Sequence, residues 1–285
     1  MMKHRFLSTL AAGALLLQTT AVLAKPDTGR VPATNNHSGQ IVSIPAHAVE
    51  VAPNVFSLGT TVVDGKVVEG IMFVHRKGNA KPENPGNGNG NGGGGSGDPT
   101  ASCYSHLAKG AKWKTQENWV LNPANVHGLT DAFLLATTDS AFGEWEVAAS
   151  ADIVGAGSLT NDPLVADTSS TDGVNEIYFG EIADPGVIAV TITWGIFGGP
   201  PQGRELVEMD QIYDQVDYAW SATGEAGKMD YENIAQHEIG HGIGMGHTTV
   251  TSDCAEQTMY PYADFGEIIK RDLGAGDIAG IAALY

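Results

Sequence analysis

The residues with the strongest chemical meaning form the stretch His237-Glu238-Ile239-Gly240-His241-Gly242-Ile243-Gly244-Met245-Gly246-His247. It reads H-E-x-x-H-x-x-G-x-x-H, three imidazoles and one carboxylate at intervals that suit a single metal ion. A helix advances about 100° and 1.5 Å per residue, so His237 and His241 stand one turn apart on one face. Glu238 is rotated off that face, better placed to meet a water on the metal than to ligate the metal itself. Gly244 stops the helix, because glycine enters the left-handed region without a Cβ penalty. The chain can then turn back to bring His247 to the same ion. Three neutral imidazoles leave a tetrahedral zinc one open position, the mark of a catalytic site rather than a closed structural one. With this composition the five fixed positions arise by chance in only about one chain in 10⁴. That disfavours the bland alternative, unrelated histidines at a glycine-rich helix end.

This pattern resembles the zinc signature of the metzincin metalloproteases. Thr258-Met259-Tyr260-Pro261 is similar to the tight Met-turn that lies beneath the zinc in that group. Within the metzincins the similarity is to the matrixin branch, including its short secreted microbial members. Tyr260-Pro261, the segment Glu208-Met209-Asp210-Gln211-Ile212-Tyr213 and the ending from Gly276 to Tyr285 carry it. The resemblance covers roughly residues 103 to 285. It implies an α+β fold: a twisted, mainly parallel sheet with an antiparallel edge strand, a zinc-binding active-site helix, the Met-turn and a C-terminal helix. It also implies one catalytic zinc on His237, His241 and His247, with Glu238 as general base and then acid. Met259 would form a floor that packs and does no chemistry. The edge strand would be residues 187 to 194, along which a peptide substrate pairs.

Three departures matter. Val190 stands where vertebrate matrixins carry a histidine for a structural zinc, so no second zinc is expected. Tyr262 directly follows Pro261, so substrate preference does not carry over. No hemopexin-like domain is expected after Tyr285. Matrixin-like proteins often hold calcium, and Asp172-Gly173 and Asp184 lie in plausible loops. No regular alternating loop of oxygen ligands assigns the calcium site.

Around the motif, the 285 residues suffice for one substantial core with appendages. Residues 1–24 read as a secretory signal: Lys3 and Arg5, an apolar run from Phe6 to Leu17, and Val22-Leu23-Ala24 as the cleavage site. The run is too short to span a bilayer, which needs roughly 20 residues. A secreted, monomeric protein without a membrane anchor after signal cleavage is expected. Fifteen basic residues against 33 acidic give a net charge of −18, which disfavours nucleic acid and anionic membrane as partners. Peptide or protein substrates remain.

Residues 25–78 form an N-terminal region, a candidate propeptide too small for a core of its own. Within it, Asp64-Gly65 marks a two-residue hairpin turn. Residues 79–100 read as a Gly- and Asn-rich linker open to processing, and 101–285 as the catalytic domain. Cys103 and Cys254, an even count in a secreted chain, point to one disulfide. The alternative, Cys103 as an inhibitory thiolate on zinc, lacks the surrounding residues of the matrixin cysteine switch.

Several elements can position the site. Trp119-Val120-Leu121 reads as a first strand. Thr130 can cap a helix with Leu134, Thr138, Ala141 and Trp145 on its core face. Residues 187 to 194 alternate as a half-buried strand. Asp230 can cap the zinc helix, with Ile234 and Ile243 as its anchors. Ile278, Ile281, Ala282 and Tyr285 offer an apolar face on the last helix. His37, His47, His75, His106 and His127 have no ligand-like spacing and read as surface or loop residues. The rival to a protease is a catalytically inactive, zinc-containing secreted peptide-binding protein. A third reading is a protease devoted to one partner or to its own processing.

Overall fold

The computed structural model describes residues 41–78 and 99–285. The expected signal at 1–24, His37 and the expected linker from Asn79 to Asp98 lie outside the described residues. Among the described residues, no helix is long and apolar enough to cross a membrane.

The scaffold is one large mixed sheet with helices packed against it. In chain order its main strands are β1 (Val49–Ala52), β2 (Val55–Val63), β3 (Lys66–Lys77), β4 (Trp119–Asn122), β5 (Gly157–Leu159), β6 (Asn175–Ile182), β7 (Val187–Ile196) and β8 (Glu205–Asp214). Their spatial order is β1-β2-β3-β7-β8-β6-β4-β5. Strands β8, β6, β4 and β5 run parallel to one another, and β7 is antiparallel to β8. This is the expected α+β arrangement. The short β9 (Tyr262–Ala263) pairs in parallel with the end of β3.

The hairpin β2–β3 forms as read from the sequence. Asp64 and Gly65 have φ of 49° and 77°, the pair of positive values that lets a two-residue turn follow the strand twist. The hairpin does not stand apart from the rest. Strand β3 pairs antiparallel with β7 from Glu69↔Gly195 to Arg76↔Val187. Consequently β7 is not half-buried, as its alternation suggests, but buried on both faces from Val187 to Gly195. Val190, Ile192 and Trp194 join Met72 and Val74 of β3 in one apolar cluster. On the opposite face, the Thr191 hydroxyl reaches into the site described below.

Helix α1 (Asp131–Ala149) is capped by Thr130, whose Oγ1 accepts from Phe133 N at 3.2 Å. Its face of Leu134, Thr138, Ala141 and Trp145 is buried as expected. The Trp145 indole donates to Gln236 O at 3.0 Å, and the Thr138 hydroxyl meets that of Tyr231 at 2.8 Å. These bonds fix α1 against α2 (Tyr231–Gly242), the zinc-motif helix. Asp230 caps α2 through Asn233 N at 3.1 Å, and the guanidinium of Arg271 grips the same carboxylate at 2.9 and 2.7 Å. Ile234, Ile239 and Ile243 sink into the main core.

Helix α3 (Ala275–Leu284) buries only part of the expected face: Ile281 is in the core and Tyr285 packs against it, but the buried stripe is rotated toward small residues. Ile278 is 45% exposed and Ala282 is exposed, whereas Gly276, Asp277, Gly280, Ile281 and Leu284 are buried. Small residues decide this. A Cβ on Gly276 would stand 2.4 Å from Cys103 O, and one on Gly280 would stand 2.5 Å from Met245 Cε. Cys103 and Cys254 are joined as a disulfide across 151 residues of sequence, so the thiolate alternative for Cys103 falls. Chain entropy gives such a loop an upper contribution of about 5 kcal/mol.

Candidate metal centre

Helix α2 presents His237 and His241 with their Nε2 atoms 3.1 Å apart. Both rings are oriented from behind. His237 Nδ1–H donates to Thr258 O at 2.6 Å, and His241 Nδ1–H donates to Met245 O at 3.0 Å. Each ring therefore carries its proton on Nδ1 and turns an Nε2 lone pair toward the other. Two lone pairs at that distance repel unless a cation lies between them. Two nitrogens on a tetrahedral zinc stand about 3.3 Å apart, close to the observed separation.

Gly244 provides the reversal with φ of 104°, and a Cβ there would stand 2.8 Å from Ala111 O. The chain then delivers His247, whose two ring nitrogens are buried and make no hydrogen bond of good geometry among the described residues, the Pro53 carbonyl being the nearest acceptor to influence the ring. One ligand atom from each of His237, His241 and His247 lies within 4.8 Å of the others. Orphaned buried imidazole nitrogens call for a ligand, and one zinc ion satisfies all three rings. Burial pushes His237 and His247 well below the usual imidazole range and His241 down to about 3, so all three are neutral, the form that ligates.

Glu238 is fully buried beside this triad. Its Oε2 accepts the Thr191 hydroxyl at 2.7 Å, and its Oε1 accepts His75 Nδ1–H at 3.0 Å. Burial raises its pKa to about 8, against the opposing effects of the Thr191 hydrogen bond and the Lys270 charge.

The family model described as matrixin, a peptidase family, matches residues 46–285. The chain belongs to the matrixin family. A curated relative, metalloendoproteinase 2-MMP of Arabidopsis thaliana, is 36% identical over 89 residues, covering 30% of this chain and 21% of that protein. The alignment thus spans about a fifth of the relative's length.

In this matrixin the turn beneath the triad is built around Met259, which is fully buried. It packs under Gly240, where a Cβ would stand 2.3 Å from Met259 Sδ and 2.9 Å from Trp145 Cζ2. The glycine inside the motif is therefore a packing requirement as well as a spacer. Asp277 of α3 braces the turn. Its carboxylate accepts Thr258 N at 2.6 Å, Gly274 N at 2.9 Å and Met259 N at 3.1 Å. Thr258 in turn supplies the carbonyl that orients His237.

Four side chains around the matrixin site carry no signature of their own in the sequence: His75, Thr191, Lys270 and Asp277. His75 is the clearest correction, fully buried rather than a surface or loop residue. Its ring centroid is 3.9 Å from that of His237, while Phe73 stacks on His241 at 3.9 Å. Lys270, also fully buried, donates to Tyr260 O at 3.0 Å and to Tyr262 O, and reaches His75 Nε2 at 3.4 Å. The available signal was alternation along β3, which puts Phe73 and His75 on one face. His106 and His127 instead bond the carbonyls of Gly280 and Gln215.

A second cluster lies away from the triad. Ligand atoms of Asp167, Glu208 and Asp210 fall within 4.8 Å of one another. Glu208 is fully buried, and its carboxyl meets that of Asp167 closely enough for the two to share a proton; beyond that pairing, Glu208 Oε1 and Asp167 Oδ2 have no hydrogen-bond partner among the described residues. The Asp172-Gly173 loop caps this cluster by donating both its amides to Glu208 Oε2. Asp184 serves elsewhere, accepting Ile44 N at 2.9 Å. Burial raises Glu208 to about 8 and Asp210 well above the usual carboxylate range.

Proposed function

We propose that this matrixin is a secreted zinc endopeptidase that hydrolyses peptide bonds in extended substrates. The observation that carries the reading is the paired Nε2 lone pairs of His237 and His241, with orphaned His247 beside them and Glu238 adjacent. When bound, zinc supplies Lewis-acid polarisation of the scissile carbonyl and lowers the pKa of water toward about 7. The rest is the work of the chain. Thr191 orients the Glu238 carboxylate through Oε2; Oε1, which accepts His75 Nδ1–H at 3.0 Å in this structure, keeps a second lone pair to take a proton from the attacking water and return it to the leaving amine. Both edges of strand β7 are paired in this structure, with β3 and with β8, so substrate pairing along it requires β3 to withdraw; Met259 and Asp277 hold the ligands in place. The protein acts outside the cell as a monomer, on peptide or protein.

The rival, a zinc-containing protein that binds peptide without cutting it, has no use for a buried carboxylate at this position. Peptide-library hydrolysis by wild type and Glu238→Ala, with zinc content measured in parallel, tests the choice. Wild-type cleavage, lost by about 10²-fold or more in the variant at equal zinc, is expected. Equal activity in both refutes the role of Glu238, and zinc in both with cleavage by neither points to a latent form, a very narrow protease or the binding protein, with removal of the N-terminal region as the next step.

The acidic cluster is read as a structural cation site, with calcium as its occupant. Two buried oxygens without partners need either a shared proton or a cation, and a hard divalent ion with oxygen ligands meets that need. Calorimetric titration with calcium checks it; no heat of binding at millimolar calcium removes it.

A further inference from the structure

Lys270 brings a buried positive charge to the metal centre that the mechanism above does not use. We infer that Lys270 selects the substrate: its ammonium receives an acidic side chain, so the site favours peptides with glutamate as the first residue after the cut. This rests on the endopeptidase reading and adds a substrate class to it.

A buried charge is costly unless partners are arranged around it. Lys270 is fully buried, on the short helical turn Ile269–Arg271. Its amide donates to Asn233 Oδ1 of α2 at 2.8 Å, which ties it to the helix that carries the zinc motif. Two of its three ammonium protons go to the carbonyls that flank Pro261, Tyr260 O at 3.0 Å and Tyr262 O. The third lies between Glu267 Oε1 at 3.6 Å and His75 Nε2 at 3.4 Å. The Glu267 contact is longer than a hydrogen bond, so the ammonium keeps one donor for the space that the His75 ring fills. His75 gives its Nδ1 proton to Glu238, which leaves Nε2 as a lone pair. The ring thus enters that space as an acceptor. Burial lowers the pKa of Lys270 to about 8, against the opposing charges of Glu267 and Glu238, so the side chain is charged at neutral pH.

The chemistry says which substrate residue meets this donor. Glu238 returns its proton to the leaving amine, so the residue that supplies that amine stands beside Glu238. His75 shows what a side chain beside Glu238 encounters. Its ring centroid is 3.9 Å from that of His237, and its far end faces Lys270. An aliphatic side chain in that place leaves the third proton without an acceptor. Glutamine supplies the acceptor, and glutamate supplies both the acceptor and the opposite charge. Glutamate also carries its oxygens as far beyond Cβ, counted in bonds, as histidine carries Nε2. Sites built around a buried donor reject ligands that lack the matching acceptor.

Two measurements test this. In the first, the full chain, intact and nicked between residues 78 and 99, is given a mixed peptide library, and the new N-termini are read by mass spectrometry. Glutamate should lead, with glutamine next. The kcat/KM of a glutamate peptide should exceed that of its leucine counterpart about 10-fold, as expected for one hydrogen bond to a charged group. In Lys270→Met that ratio should fall to one or below. Should Lys270→Met fail to fold, Lys270→Gln, which keeps donors for the two carbonyls, takes its place. The second measurement needs no turnover. In the intact chain, position 75 is itself a side chain in the slot. His75→Leu should melt about 3 °C or more below His75→Gln, and the gap should close in the Lys270 variant. Leucine at or above glutamate among the new N-termini overturns the proposal. So does a glutamate-to-leucine ratio that survives the loss of Lys270, or the absence of a Tm gap at position 75. If no peptide is cut while the gap appears and closes as expected, Lys270 stands as the selector of an acceptor and the endopeptidase reading fails.

Discussion

Replacing Asp277 with alanine should loosen the metal centre from beneath without touching a ligand. The carboxylate accepts three backbone N–H groups, at 2.6, 2.9 and 3.1 Å. The simple sum of three charge-assisted bonds overstates the effect, because burial raises the pKa of Asp277 despite them. Desolvation of the carboxylate thus offsets much of what the bonds contribute. What the alanine variant loses is better counted as amides left behind. Thr258 and Met259 lie in fully buried residues, and an unsatisfied buried donor costs about 1–3 kcal/mol. The two together predict a destabilisation of about 2–5 kcal/mol. For a chain of this size that corresponds to a fall in Tm of roughly 5–15 °C. The loss should reach the metal, since Thr258 O fixes the His237 tautomer; outer partners of this kind are worth about 10–100-fold in metal affinity. Scanning calorimetry with a competitive zinc titration measures both quantities. Asp277→Asn, which keeps an acceptor oxygen, should fall between. A Tm within about 2 °C of wild type and an unchanged zinc affinity would refute the brace.

Gly240→Ala should cost about 1–3 kcal/mol in urea unfolding, since the new methyl drives into Met259 and Trp145; wild-type stability would mean that the methionine floor yields freely. The acidic cluster predicts a pH dependence. Glu208 of the cluster, and Glu176 of β6, whose amide donates to Asp210 Oδ1 at 3.3 Å, are raised by burial from 4.5 to about 8 and about 7, so the folded state binds their protons more tightly than the unfolded state does. Their contribution to stability is full below about pH 4.5 and is lost as pH rises toward 8. Saturating calcium should flatten this decline in Tm over pH 5–8, and identical profiles with calcium and with chelator would count against a cation site.

The metal centre was legible because a helix converts sequence spacing into geometry: His237, Glu238 and His241 need only the helical period, and His247 only the glycine turn. Caps were equally local, as Thr130 and Asp230 show. What escaped was set by partners distant in sequence. The alternation in residues 187–194 is real, but its half-buried reading assumed a free edge, and β3 covers that edge from more than a hundred residues away. His75 has no neighbour in sequence that marks it as part of a site; only the β3–β7 register brings it to Glu238. The last helix was legible in part: Ile281 is buried and Tyr285 packs on the core, but Ile278 and Ala282 face outward because closeness to Cys103 and Met245 turns the glycines inward.

The position of the disulfide decides which parts of the chain a backbone cut would set free. Cys103–Cys254 closes a loop across 151 residues of sequence that excludes the β2–β3 hairpin. A cut inside that loop leaves the two pieces joined, at an effective concentration set by the tether. A cut between residues 78 and 99 leaves the hairpin held by its pairing with β7 and by side-chain packing alone. It would then obey mass action, and dilution would decide whether it stays.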